Sequence, residues 1–281
     1  HKALSLRHFF DNALSLRDIA QILDEAVEVK GAAHWPELTH DLAQANTEFA
    51  LNPIQQAYWY GRQPGLELGG VSCHLYMEID SLSVDVVDLQ QAWNHVVARH
   101  PMLRTVITDD GLQHCLESVD EYEFEQCDFQ TLEGRVLAEV LTSQRNELAA
   151  QVIDVATWPL FEIRVLLLPD NKKRILFSFD LLIADVYSVL LILQDWQQFY
   201  QYPNQTLPVL PVTFRDYVLA EQDLIQQDYF HAAKEYWQQR LESLPDAPQI
   251  PLARQPKTIF APTFERLICQ LDKAQWASFR V

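Results

Sequence analysis

The sequence predicts a mixed α/β (α+β) sandwich in which one sheet is flanked by helices, and three observations carry that expectation. Ser72, His74, Tyr76 and Glu78 alternate with Cys73, Leu75, Met77 and Ile79, the period-two signature of a strand with one more apolar face. Two further apolar runs, Phe161 to Leu168 and Arg174 to Phe179, are joined through Pro169, Asp170 and Asn171, which reads as a hairpin and not as the crossover that parallel strands require. Long segments of helical period are interleaved with these strands, without the strict alternation of a doubly wound sheet.

Taken in order, residues Leu4 to Ala26 read as one or two short helices, with Ile19, Ile22 and Leu23 forming an apolar stripe. The period is then lost, and Gly31 and Pro36 interrupt the chain, so residues 28–50 are expected to be a linker after a helical segment over 1–27. The main body is expected over 51–260. Beyond Tyr58 to Arg62, a loop carrying Gly61, Pro64, Gly65, Gly69 and Gly70 precedes the first strand. Asp85 is placed to cap a helix whose buried face is Leu89, Ala92, Trp93, Val96 and Val97, stopped by Pro101. A second long helix is predicted over Glu133 to Ala150. Val189, Leu190, Leu193 and Trp196 give a third over Val186 to Tyr200, and Tyr229 to Leu241 a fourth. Pro203, Pro208 and Pro211, and later Pro245 to Pro256, mark connections.

Composition narrows the function classes. With 48% of its 281 residues apolar, the chain can bury a sizeable core. Asp and Glu number 39 against 21 Lys and Arg, a formal charge of −18, which repels a phosphate backbone and argues against nucleic acid as a partner. Such a surface is either a solvated exterior or a complement to basic patches on partner proteins. Cys73, Cys115, Cys127 and Cys269 are scattered, without a CxxC pair, so neither a zinc site nor a disulfide framework is indicated and a reducing cytoplasm is expected. The aliphatic stretch around Val189 to Leu193 is too short to span a bilayer. There is no GxGxxG, no GxxxxGK[ST] and no GxSxG. His74, His95, His100 and His114 have no partner at metal-ligand or catalytic spacing, and no metal is expected.

The sharpest local feature is FSFDLLIADVYS, where Asp180, Asp185 and Ser188 punctuate an apolar run between a strand and a helix. A buried carboxylate without partners is strongly destabilising, so each needs hydrogen bonds or a cation. Two readings follow from the residues alone. In one, Asp185 caps the following helix and Asp180 pairs with a basic side chain; in the other, both carboxylates belong to a working site.

DLLIADVYS resembles the DxxxxDxxS signature of the heterocyclization subgroup of the condensation-domain superfamily in nonribosomal peptide synthetases. LNPIQQAYWYGR (Leu51 to Arg62) resembles that family's opening motif and RHPMLR (Arg99 to Arg104) its second. WPLFEIR (Trp158 to Arg164), TFRDYV (Thr213 to Val218) and YWQQRLESLP (Tyr236 to Pro245) continue the match in order. Ordinary condensation domains carry HHxxxDG here. This chain has Leu181 at the second histidine position, and leucine can neither accept nor donate a proton.

The resemblance implies a chloramphenicol acetyltransferase-like lobe in which an acyl group on one 4′-phosphopantetheine arm meets Cys, Ser or Thr on another. An amide forms, and the side chain then closes a thiazoline or oxazoline ring with loss of water. The implied partners are an upstream acyl or aryl carrier domain, a downstream peptidyl carrier domain and the rest of the carboxy-terminal lobe; residues 261–281, with FERLICQLDKAQWASFRV from Phe264 on, resemble the opening of that lobe, and no cofactor is held directly. In the family the threonine and aspartate credited with cyclodehydration lie in that second lobe. Asp180 and Asp185 are accordingly assigned as site organisers, with Asp185 paired to Arg99 or Arg104, Tyr58 and Arg62 as residues that line the site or brace the two aspartates, and Ser188 as a helix cap or a substrate contact. The segment LSLRHFFDNALSLRDIAQILDEA resembles the closing helices of a carrier domain, or serves as an independent docking extension. The competing functions are a noncatalytic carrier-binding platform and an ordinary condensation or acyltransferase domain.

Overall fold

The computed structural model describes residue 36 and residues 38–246, 248, 251–260, 262–264 and 269–280, so the expected helices over 1–27 lie outside the described residues. The described chain divides into two compact units, one of residues 43–210 with 250–281 and one of 211–249 with the residues up to 42.

The larger unit is built on a mixed four-stranded sheet of order β2-β7-β6-β5. Its strands are β2 (His74–Ser81), β5 (Glu125–Asp128), β6 (Phe161–Leu167) and β7 (Lys173–Asp180). The β6 and β7 hairpin is antiparallel, as its short connection requires, β2 adds antiparallel to β7, and β5 adds parallel to β6. A separate three-stranded sheet of order β1-β4-β3 comprises β1 (Phe49–Ala50), β3 (Thr105–Ile107) and β4 (Leu112–Cys115). Phe49 and Ala50, expected in the linker, are therefore part of the folded body, because their backbone pairs with Gln113 and Leu112.

Helices α1 (Pro53–Gly61), α2 (Val86–Arg99), α3 (Gly134–Ala150) and α4 (Val186–Gln201) complete this unit, with α7 (Lys273–Phe279) beyond. Asp85 caps α2 through the amides of Val87 and Asp88, and the five residues named from the sequence are the buried ones. In α4 the expected stripe is partly corrected. Val189 and Trp196 are buried, but Ile192 and Phe199 fill the face, and Leu190 is exposed.

One sheet face packs on α2 and α4. Trp93 is surrounded edge-on by Phe161, Phe177, Phe179 and Trp196, with ring centroids 5.0–5.8 Å apart. On the other face Leu148 of α3 packs with Leu166, Leu168 and Leu176. There Glu78 pairs with Arg145 and Arg174, and Asp80 with Arg174 and Lys172. Strand alternation assigns Ile175, Phe177 and Phe179 to the aromatic face and Leu176, Ser178 and Asp180 to the α3 face.

The smaller unit contains α5 (Phe214–Ile225) and α6 (Asp228–Arg240). The TFRDYV segment starts α5 with a capping box, in which Thr213 and Asp216 each satisfy the other's backbone amide; Asp216 also binds His40 Nδ1 at 2.7 Å. Among the described residues no helix is long and apolar enough to cross a membrane, and no cluster of His, Cys, Asp or Glu could hold a metal.

Candidate functional site at the strand to helix turn

Asp180 is the last residue of β7, and the turn that follows it delivers the chain into α4. Its carboxylate is almost wholly buried and is met by three donors. Arg62 Nη1 reaches Oδ2 at 2.9 Å, Ser72 Oγ reaches the same oxygen at 2.8 Å, and the Leu182 amide donates to Oδ1 at 3.0 Å. Arg62 is itself buried, and its Nη2 donates to the Ile153 carbonyl at 2.8 Å, just past the end of α3. The planar guanidinium thus ties the end of β7 to the segment after α3, an arrangement that a point-charge lysine would not reproduce.

Each partner is placed for a local reason. Arg62 follows the last turn of α1, a helix that Asn52 and Gln55 begin with a capping box and that carries Pro53 at its first turn. Ser72 follows the glycine-rich loop and lies two residues before the start of β2. That loop folds tightly enough that a Cβ on Gly69 would lie 2.6 Å from the Gln63 carbonyl oxygen, so the close approach requires glycine.

Asp185 does different work. It is exposed and caps α4, its Oδ1 accepting from the Ser188 amide at 2.7 Å. The Ser188 hydroxyl and amide hold the Asp185 carboxyl below its usual range. Ser188 is therefore the capped residue of the first turn and not the cap.

The expected ion pair between Asp185 and the arginines of RHPMLR is not formed. Arg99 Nε binds Asp195 Oδ2 at 2.8 Å, Arg99 Nη1 binds the Pro208 carbonyl at 2.6 Å, and His100 Nε2 binds the same Asp195 oxygen at 2.8 Å. Arg104 donates instead to the carbonyls of Ala98, at the end of α2, and of Leu116. The physical reason is packing: α2 lies against α4, and Asp195, beside buried Trp196, faces Arg99, whereas Asp185 is at the exposed start of α4. RHPMLR is thus a joint between α2, α4 and the following connection.

Tyr58 is half-buried against the aromatic core, and its phenol is pushed up by the neighbouring Cys73 thiol and by burial. Leu181 is anchored through its backbone, its amide donating to the Cys73 carbonyl at 2.9 Å. The structure therefore brings Asp180, Arg62, Tyr58 and Leu181 to one end of the main sheet, while Arg99 and Arg104 are engaged elsewhere. Sequence reasoning passed over Ser72 and Gln55. Gln55 stood inside the opening motif, and its burial at 5% exposure in a helix's first turn is the sign of a polar side chain with fixed partners.

A model of the condensation-domain family matches residues 45–276, and the chain belongs to that family. It is 33% identical over 241 residues to bacitracin synthase 1 of Bacillus licheniformis, covering 86% of this chain and 4% of that protein. It is 32% identical over 214 residues to phenyloxazoline synthase MbtB of Mycobacterium tuberculosis, covering 75% of this chain and 15% of that protein. The chain therefore spans a small part of the curated relatives it matches. Among solved structures it is similar to the EpoB cyclization-docking bidomain of a nonribosomal peptide synthetase from Sorangium cellulosum. The TM-score is 0.80 at 29% identity, over 96% of this chain and 54% of that one. The mixed sheet with flanking helices is the chloramphenicol acetyltransferase-like architecture of that family.

Proposed function

We propose that this chain supplies the amino-terminal half of a heterocyclization site in a nonribosomal peptide synthetase. The site condenses a carrier-bound acyl group with carrier-bound Cys, Ser or Thr and cyclodehydrates the product to a thiazoline or oxazoline. The observation that carries the reading is the Asp180 to Asp185 turn. It keeps the place of a histidine motif but offers Leu181 where an imidazole would have to abstract a proton. Likeness to a phenyloxazoline synthase and to a cyclization bidomain supports the same reading.

The chemistry proceeds in two stages. The amine of the acceptor attacks the donor thioester, which releases the donor thiol and leaves an amide. The side-chain thiol or hydroxyl then adds to the amide carbonyl, and the resulting tetrahedral centre loses its hydroxyl, with a proton, as water. Asp180 contributes shape to this sequence, because three donors from this chain already hold its carboxylate. Asp185 fixes the start of α4, and Tyr58 and Arg62 brace the end of the sheet. The 4′-phosphopantetheine arms arrive as substrate on carrier domains.

The test is to supply the complete synthetase with carriers loaded with acyl and cysteinyl groups and to follow product mass. A product lighter than the linear amide by one water is expected. Linear amide alone would assign ordinary condensation, and absence of any transfer would leave a carrier-binding platform.

A further inference from the structure

A buried polar chain runs from the small sheet to the same turn. Gln113, on β4, is fully buried, and Gln55 is nearly so. Their amides exchange hydrogen bonds, Gln55 Nε2 to Gln113 Oε1 at 2.9 Å and Gln113 Nε2 to Gln55 Oε1 at 2.8 Å. The remaining N–H of each finds a carbonyl. Gln113 donates to Ala50 of β1 at 3.1 Å, and Gln55 donates to Leu182 at 2.7 Å. Gln55 Oε1 also accepts from the Asn52 amide at 3.0 Å. The Leu182 backbone is consequently held at both of its peptide groups, its N–H by Asp180 and its C=O by Gln55. Apolar side chains of similar shape could fill this volume, so two amides with all four N–H groups satisfied supply direction as well as volume.

We propose that Gln113 is a positioning residue for the heterocyclization site, acting through Gln55 and the Leu182 peptide to set how the turn presents Leu181 and Asp185. This rests on the function proposed above.

The experiment compares Gln113→Leu, Gln55→Glu and the double variant Gln55→Leu/Gln113→Leu in the complete synthetase with loaded carriers. It reads turnover, KM for the loaded carriers, the thermal midpoint and hydrogen exchange at residues 181–185. Gln113→Leu leaves Gln55 with unmet partners, and an ionised Gln55→Glu cannot donate to the Leu182 carbonyl. The double variant removes both amides and so leaves neither one stranded. Both single variants are expected to lower kcat on the order of tenfold to a hundredfold, as small misplacements of a reacting geometry do, with KM little changed. The double variant is expected to recover the thermal midpoint while kcat stays low and exchange at 181–185 stays fast. Recovery of both midpoint and kcat in the double variant would reduce the pair to packing and overturn the proposal. If the unsubstituted synthetase makes no ring, the function reading fails by itself. Exchange at 181–185 then decides the positioning role: acceleration in Gln55→Glu supports it, and unchanged exchange overturns it.

Discussion

The two faces of the main sheet are built on opposite rules. Beneath α2 and α4 the face is aromatic, with Trp93 in the middle of Phe161, Phe177, Phe179 and Trp196. Beneath α3 the same strands present Leu166 and Leu176 beside Glu78, Arg164, Arg174 and Ser178. The aromatic face gains stability from removing apolar area from water and depends little on direction. The charged face contributes less per group, because its ion pairs are partly solvated, but it sets which atoms meet. Asp180 stands at the end of this second face, and that explains why a carboxylate can be buried there. Its partners there are Arg62, Ser72 and the Leu182 amide, a group of its own at that end of the strand.

Substitutions on and around the two faces sharpen this contrast. Trp93→Ala should be the most damaging, costing about 3–5 kcal/mol in urea unfolding, since it opens a cavity among large rings. A loss under about 1 kcal/mol would mean that the aromatic face is loosely packed. Asp180→Ala strands the buried Arg62 guanidinium and should cost about 3 kcal/mol. Arg62→Leu/Asp180→Leu should be less destabilised than either single change, and thermal midpoints for the set would show it; a double variant worse than both singles would point to packing. Asp185→Ala removes only a helix cap and should cost about 1 kcal/mol, visible as a small fall in the urea midpoint.

The smallest effect is in acid. Arg174 holds the Asp80 carboxyl down to about 2, with help from Lys172. The folded value is the lower one, so this stabilisation is present above the ordinary carboxylate range near pH 4 and fades as pH falls toward 2. Asp80→Asn should flatten that limb of a stability-against-pH curve slightly, because the pair is half-exposed. An unchanged acid limb would remove Asp80 from the account.

Much of this was readable in the residues, and the exceptions have physical causes. Asp85 followed by a helical stripe placed α2, and the hairpin runs placed β6 and β7, because both patterns are long enough to show a period. The small sheet escaped notice: β1 has two residues and β3 three, too few for alternation to register. β5 escaped because Glu125, Gln126 and Asp128 are exposed and show no apolar face. At the site, a paired Asp180 and a capping Asp185 formed one of the two readings that the residues left open, and the hydrogen bonds agree with it. The partner of Arg99 was not legible, since Asp185 and Asp195 are equally plausible acceptors until α2 is laid on α4 and only one of them faces the guanidinium. Ser72 and Gln113 carried no sequence signal beyond being polar beside a strand and within one.

Arg62 and Asp180 are 118 positions apart in the chain. On a ribosome, the guanidinium emerges first and waits for the hairpin to be synthesised before it meets its carboxylate. Closing so long a loop adds no local contact to guide it, so the turn is expected to acquire its fixed shape after β6 and β7 have paired. In pulse-labelled refolding, the Leu182 amide should then become protected later than the amides of Leu176 and Ser178, the β7 amides that face β6. A site assembled last gives the nascent chain no finished turn to present before the sheet beneath it is complete.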